Sequence, residues 1–149
     1  MKMIDIPPVW LAVCVLVAWG QATFLPLDFG FGGTWTRLIG ASFVIGGLFL
    51  AVLAVLEMRR AKTTFIPHQT PTSMVTSGVF SFTRNPIYLG DVMILLGFVL
   101  WWGAVIALIL VPLFLFTIER RFILPEEERL RAEFGDAFEG YAANVHRWL

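Results

Sequence analysis

The chain has 149 residues, of which 58% are apolar and only 15% are charged, whereas about 25% charged residues is usual for soluble domains. A water-soluble fold of this size has too little interior to bury so much apolar side chain, so the excess must face lipid. The formal net charge is zero, which gives no electrostatic reason to expect a nucleic-acid partner. Composition therefore predicts an integral membrane protein, in an inner or cytoplasmic membrane.

Four apolar stretches predict transmembrane helices, at 7–27, 38–56, 84–100 and 104–121. About 20 residues at 1.5 Å per residue cross the ~30 Å hydrocarbon core of a bilayer. The last two stretches are interpreted as a hairpin, because one continuous helix over both would be about 50 Å long. Gly103 follows two tryptophans and permits the reversal between them.

The tail after the fourth stretch predicts an amphipathic helix over 125–147. Its apolar side chains recur at intervals of three and four residues. Its first turn contains three glutamates, which the positive end of a helix favours. The predicted fold class is therefore all-α: a single domain over 1–149, with a bundle of about four transmembrane helices and a C-terminal amphipathic helix.

Basic residues are distributed unevenly between the predicted loops. The 59–84 connector and the tail from 119 onward are rich in arginine, whereas the opposite loops hold only Arg37 near a span end. Because positively charged loops stay in the cytoplasm, both termini, the connector and the tail are predicted to be cytoplasmic. This multi-pass topology places the polar segments that could bind a ligand on one face of the membrane.

Two of these polar segments carry candidate binding residues. The 72–88 loop contains Gly78, which allows close backbone approach to a ligand, and leads into a helix start whose N–H groups favour a carboxylate. Glu126 and Glu127 would attract an ammonium or sulfonium group, most strongly away from bulk water. Each segment also has a purely structural interpretation, as a surface loop before a proline-started helix and as an acidic first turn.

Two charged residues near span ends are candidates for catalysis. Asp91 lies one turn inside the third span, where a carboxylate costs roughly several kcal/mol, although it could also reach water at the nearby helix end. Arg121 ends the fourth span and could bind an anionic substrate through two parallel hydrogen bonds, or anchor the helix at the lipid headgroups. No side chains have metal-ligand spacing, so no metal is expected.

Three short segments resemble those of a known enzyme family. They are VTSGVF at 75–80, RNPIYLG at 84–90 and EExxLxxxFG at 126–135, the last followed by Tyr141, Val145 and the Arg147-Trp148 pair. Together they resemble the isoprenylcysteine carboxyl methyltransferase family and its phospholipid methyltransferase relatives, over roughly 63–149. The resemblance implies a helical membrane fold with S-adenosylmethionine as methyl donor, held at the cytoplasmic face. The residues that it implies at the donor are Thr72, Ser73, Met74, Val75, Phe80, Asn85, Pro86, Ile87, Tyr88, Glu126 and Glu127.

The chain departs from the family pattern at three positions. Asn85 stands where the family often has histidine, and Phe80 where it often has tyrosine. Phe122 occupies the position of a substrate-binding arginine, and Arg121 beside it could take that role. These departures concern the acceptor and leave donor binding as expected.

The methyl acceptor stays open between a carboxylate, an amine and a thiol on a lipophilic molecule or a membrane lipid. An amine acceptor would need a base such as Asp91 or Glu127. Two other functions also stay open: an NADPH-dependent membrane reductase similar to sterol reductases, and a small membrane protein without enzymatic activity. Glycines at 40, 46 and 47 allow close helix packing, and a homodimer through that face is a further expectation.

Overall fold

The computed structural model describes residues 6–27, 32–63 and 73–149, and none of these residues lies in a β-strand. Short 3₁₀ turns occur at Gly78–Ser81 and Ile106–Ile109, and a π-helical turn at Glu119–Ile123 joins α4 to α5. The predicted all-α fold class is confirmed for the described part of the chain. Its α-helices are α1 (Pro7–Phe24), α2 (Thr34–Arg60), α3 (Pro86–Trp102), α4 (Leu110–Ile118), α5 (Leu124–Phe134) and α6 (Asp136–Asn144).

Helices α1 and α2 are long and apolar enough to cross a membrane, and α3 is an equally apolar but shorter helix. Most of the apolar surface of α1 and α2 points outward. Of the most apolar 18-residue stretch of each helix, only 11% in α1 and 17% in α2 is buried inside the protein. Leu16, Phe24, Trp35 and Phe49 are all more than half exposed. Exposed apolar surface on this scale is a liability in water but matches the acyl chains of a bilayer. The two helices therefore support the prediction of a membrane protein.

The most extensive interface between two helices in the described residues joins α2 to α3, and it depends on four glycines that we call the glycine seam. A Cβ atom at Gly40 would lie 2.6 Å from the carbonyl oxygen of Gly97, and one at Gly47 would lie 2.5 Å from that of Gly90. A Cβ at either α3 glycine would lie 2.7 Å from the carbonyl oxygen of its α2 partner. Two antiparallel backbones approach this closely only where side chains are absent.

The glycine face of α2 was expected to support a homodimer, and the structure gives it a different partner. Gly40 and Gly47 contact α3 of the same chain, and a Cβ at Gly46 would lie 3.0 Å from the Met93 side chain. These small residues therefore pack within the monomer, and the homodimer stays a prediction.

Gln21 of α1 is hydrogen-bonded to the 3₁₀ turn that precedes α4. Its side-chain oxygen accepts a hydrogen bond from the backbone N–H of Ala107 at 3.2 Å, and its side-chain nitrogen donates to the carbonyl of Leu25. The first N–H groups of a helical turn have no acceptor within that turn, and lipid offers none. A polar side chain inside an apolar span therefore satisfies a buried backbone donor.

The C-terminal half differs from the prediction in its helix boundaries. The chain reverses at Gly103, which has a φ of 65°, as the sequence predicts. The predicted fourth span at 104–121 contains a 3₁₀ turn before α4, and α4 continues through the π-helical turn into α5 without a break. The single tail helix predicted over 125–147 is wrong, because Gly135 divides it with a φ of 50°, a conformation that glycine adopts without steric strain.

Replacement of Gly47 by alanine should destabilise the protein by about 1–3 kcal/mol, because the new methyl group overlaps the backbone oxygen of Gly90. Gly20 of α1 is the matched control, since a Cβ at Gly20 has nothing within 4 Å. Gly20→Ala should be neutral or stabilising by up to about 1 kcal/mol, from helix propensity alone. Thermal unfolding in detergent measures both variants, and equal melting temperatures for the two would contradict the glycine seam.

Candidate active site

A cleft opens at the end of the bundle where α2 ends, α3 begins and α4 passes into α5. The cleft encloses about 60 Å³, and about 530 Å³ when the space is counted out to open solvent. The enclosed volume is smaller than the ~300–1,000 Å³ of small-molecule sites, so a ligand would also occupy the solvent-open space at the mouth of the cleft. Its lining residues are Met58, Thr63, Ser73, Met74, Val75, Phe80, Arg84, Asn85, Glu126, Glu127, Leu130, Phe138 and Tyr141.

The lining of the cleft is apolar with a charged edge. Methionine, valine, leucine and phenylalanine side chains form most of it, and hydroxyl and amide groups are interspersed among them. The charged side chains are those of Arg84, Glu126 and Glu127. Such a lining suits a ligand that has both a flat or apolar part and charged groups of both signs.

The loop after α2 is attached to the end of that helix by polar contacts. The Ser73 hydroxyl donates to the carbonyl of Ala61 at 2.7 Å, and the Ser77 hydroxyl donates to the Glu57 carboxylate at 3.0 Å. Gly78 has a φ of 59°, and a Cβ on it would lie 2.7 Å from the Glu57 side chain. The close backbone approach that the sequence predicts at Gly78 is therefore to Glu57 of the same chain.

Phe80 and Tyr141 connect the loop to α6 on one side of the cleft. The Tyr141 hydroxyl donates to the carbonyl of Phe80 at 2.6 Å. Burial raises the pKa of Tyr141 to about 12, so the hydroxyl remains protonated and continues to donate at neutral pH. This bond holds α6 against the loop.

Glu126 accepts a hydrogen bond from a helix that begins on the other side of the site. The Tyr88 hydroxyl, in the first turn of α3, donates to Glu126 Oε2 at 3.1 Å. Glu126 also lines the cleft. A carboxylate held in this way can oppose a cationic ligand without losing its orientation.

Glu127 is almost fully buried and is engaged by two arginines. Arg147 donates to both of its carboxylate oxygens, at 3.0 and 2.8 Å, and Arg84 Nη1 lies 3.3 Å from Oε1. Arg147 also donates to Glu119 at 2.9 Å, and the Trp148 indole donates to the other Glu119 oxygen at 3.0 Å. The hydrogen bonds to Glu127 are the main cause of a raised pKa of Arg147. Two carboxylates and two guanidinium groups therefore form one neutral, mostly buried network.

Arg84 retains one donor that the protein leaves unused. Its side chain is 14% exposed, and its Nε is buried without a hydrogen-bond partner among the described residues. Unsatisfied buried donors are rare and costly in folded proteins. Because Arg84 lines the cleft, its guanidinium brings positive charge to the site.

Seven of the residues predicted at the donor site line this one cleft: Ser73, Met74, Val75, Phe80, Asn85, Glu126 and Glu127. Thr72, also predicted, lies outside the described residues. Pro86 and Ile87 form the start of α3 behind the cleft, and Tyr88 reaches the site through Glu126. The loop and the glutamate-led helix, far apart in sequence, therefore meet at one end of the bundle.

The two residues predicted for catalysis lie outside the lining of the cleft. Asp91 is 9% exposed and lies on α3 one turn after Tyr88, close enough to interact with it electrostatically. Arg121 projects from the π-helical turn, and its guanidinium lies 5.5 Å from the centre of the Trp10 ring of α1. Both residues are therefore on the bundle side of Glu126.

Sequence reasoning missed six of the lining residues: Met58, Thr63, Arg84, Leu130, Phe138 and Tyr141. Three of them, Leu130, Phe138 and Tyr141, belong to the apolar periodicity of the tail. That periodicity indicated a buried helix face but not the segment against which it packs. Arg84 directly precedes the Asn-Pro pair at the helix start, and its charge beside a predicted ligand loop was a usable signal. Met58 and Thr63 had no signal, because only the fold brings the end of α2 to the cleft.

Comparison with known proteins agrees with this arrangement. The chain matches the phospholipid methyltransferase family over residues 35–137, from α2 to the start of α6, and it belongs to that family. The family implies a methyltransferase of membranes. An uncharacterized protein of Haemophilus influenzae is 38% identical over 63 residues, which are 42% of this chain and 100% of that protein. No solved structure shows a significant match.

Removal of the Glu127 charge should destabilise the protein strongly. Glu127→Gln leaves Arg84 and Arg147 without their shared carboxylate, and we expect a loss of about 3 kcal/mol, the lower end for a broken buried ion pair. Glu139→Gln is the matched control, since its pair with Arg131 is about half exposed and water screens it, so its loss should change the stability little. Chemical unfolding of both variants measures the difference, which should vanish if Glu127 is only a surface charge.

Proposed function

We propose that the protein transfers a methyl group from S-adenosylmethionine to a lipophilic or membrane-embedded acceptor at the cytoplasmic face. The observation that carries this proposal is that the 73–85 loop and the start of α5 line a single cleft. Membership of the phospholipid methyltransferase family supports the reaction class.

The cleft has the chemistry that this donor needs. Its apolar lining suits an adenine ring, and Glu126 would oppose the positive charges of the sulfonium and amino groups. The Arg84 guanidinium, which lines the cleft, would attract the carboxylate at the other end of the amino-acid part. Glu127 contributes through the ion network, because both of its oxygens are already engaged by Arg147.

When bound, S-adenosylmethionine supplies a methyl group that is already activated by its positive sulfur. The task of the chain is then to hold the acceptor in line and to exclude water. Tyr88 holds Glu126 by its hydrogen bond, and the same phenol faces the bundle side of the site. Asp91 and Arg121 lie on that side, where Asp91 would act as a base for an amine and Arg121 would bind an acidic headgroup.

For the membrane arrangement, we propose four spans with both termini in the cytoplasm. Helices α1, α2 and α3 and the region from Ile106 through α4 would cross, and α5 and α6 would lie at the cytoplasmic surface. The arginines at the cleft end of the bundle support this orientation. A polar donor would enter the cleft from water, and the acceptor would enter sideways from the bilayer.

The two alternative functions have less support. A membrane reductase would use NADPH, whose extra phosphate needs several cations, and Arg84 is the one cationic side chain lining the cleft in the described residues. A protein without enzymatic activity would have no reason to leave a buried arginine donor beside two carboxylates. The family match also favours methyl transfer over both.

Donor binding is tested directly by calorimetry with S-adenosylhomocysteine, the stable product of the donor. The purified protein should bind it and should not bind NADPH. Glu126→Gln should weaken binding by about tenfold or more, in line with the ~1.5–3 kcal/mol of a hydrogen bond to a charged group. Glu128→Gln, in the same turn but exposed and outside the cleft lining, is the control and should bind normally. Wild-type binding of NADPH in place of S-adenosylhomocysteine would refute the proposal.

The topology is tested by cysteine labelling from one side of the membrane. Cys14 is the single cysteine of the chain, so Cys14→Ser provides a clean background. A cysteine at exposed Asn144 should react with an impermeant maleimide only from the cytoplasmic side, and one at exposed Gly33 only from the opposite side. Labelling of both positions from one side would contradict the four-span arrangement.

A further inference from the structure

Residues 146–148 contact two walls of the cleft. One wall is the Arg84–Asn85 segment before α3, and the other is the start of α5. We call His146, Arg147 and Trp148 the C-terminal strap. They follow α6, which ends at Asn144, and they lie beyond residue 137, where the family match stops. The match therefore assigns them no role, and their contacts must be considered separately.

The backbone of the strap is bonded to the wall that precedes α3. The amide of Arg84 donates to the carbonyl of His146 at 3.0 Å. The carbonyl of Arg147 accepts from the Asn85 side chain at 2.9 Å and from the Thr83 hydroxyl at 3.3 Å. Asn85 thus uses its amide to hold the strap, and not to cap α3.

The side chains of the strap are bonded to the opposite wall. Arg147 donates two hydrogen bonds to the Glu127 carboxylate at the start of α5. Such paired bonds are the strongest way in which a guanidinium group binds a carboxylate. The same guanidinium and the Trp148 indole share Glu119 at the π-helical turn. The strap is therefore bonded to residues on both sides of the cleft at once.

We infer that Arg147 is a positioning residue of the donor site, which sets the spacing between the Arg84–Asn85 wall and the glutamate pair. The inference rests on the proposed function of the cleft. Glu126 directly precedes Glu127 on α5, so any movement of Glu127 also moves the carboxylate that faces the ligand. Among the described residues, the two charged walls are linked directly by the 3.3 Å ion pair from Arg84 to Glu127, next to the Tyr88–Glu126 hydrogen bond at the first turn of α3. The strap adds two strong bonds to that link and keeps the Arg84 backbone in register.

The test measures the affinity for S-adenosylhomocysteine in Arg147 variants of the full-length protein. Arg147→Gln keeps a polar side chain but loses the charge and the paired bonds, and the dissociation constant should rise by about tenfold or more. Arg147→Lys keeps the charge without the planar fork and should lie between Arg147→Gln and the wild type. Arg131→Gln removes an exposed arginine that pairs with Glu139, and its affinity should be unchanged.

A second control separates positioning from general stability. Gly97→Ala disturbs the glycine seam far along α3 from the cleft and should lower the melting temperature while leaving the dissociation constant unchanged. If Arg147→Gln does not fold, Arg147→Lys and Trp148→Phe, which removes one bond to Glu119, provide the comparison.

The possible results differ clearly. Weakened binding in the Arg147 variants with normal binding in Gly97→Ala supports the inference. Wild-type affinity in the Arg147 variants that fold, or an equal loss in Gly97→Ala, overturns it while leaving the proposed function intact. A wild-type protein that binds no S-adenosylhomocysteine overturns both.

Discussion

The architecture depends on the close approach of the α2 and α3 backbones along the glycine seam. Two pairs of glycines, each seven residues apart on its helix, allow contact where any side chain would overlap a carbonyl oxygen. In a bilayer the hydrophobic effect gives helices little reason to associate, so tight van der Waals packing must supply the attraction. The Gly47–Gly90 pair, the one nearer the cleft, also has a consequence for the site. It places the end of α2, with Met58 and Glu57, beside the loop that leads into α3.

The charged side chains, in contrast to the glycine seam, are concentrated at the cleft end of the helix bundle. Glu119, Glu127, Arg84 and Arg147 neutralise one another and hold four segments of the chain together. A neutral network keeps most of its attraction in a partly buried position, since water screens it little. Glu126 stands beside this network, accepts a hydrogen bond from the Tyr88 phenol and lines the cleft. Two adjacent glutamates in one helical turn thus have different tasks, decided by which partner each one meets.

Much of the fold and part of the site could be predicted before any coordinates. The apolar stretches predicted α1 and α2 within a few residues, and Gly103 predicted the reversal after α3. The resemblance to known methyltransferases pointed to the loop before α3 and to the glutamate pair, and seven of the residues that it implies line the cleft. Prediction failed where the reason was not local. The tail was taken as one helix, because periodicity continues across Gly135 and outweighed the glycine. The glycines of α2 indicated close helix packing but not the helix that they contact, because a small-residue face does not identify its partner.

The sequence by itself determined that the helices face lipid, that the fold is helical, and which two segments could bind a charged ligand. These properties depend on hydropathy, periodicity and turn residues, which act over a few positions. The tertiary structure decided what these segments contact. It brought Arg147 into contact with Glu127, 20 residues away in the sequence, and with Asn85, 62 residues away. It also placed Gly78 against Glu57. Such pairs form only when the helices have packed, since the energy of a hydrogen bond or an ion pair depends on distance in space, and separation along the chain does not reveal that distance.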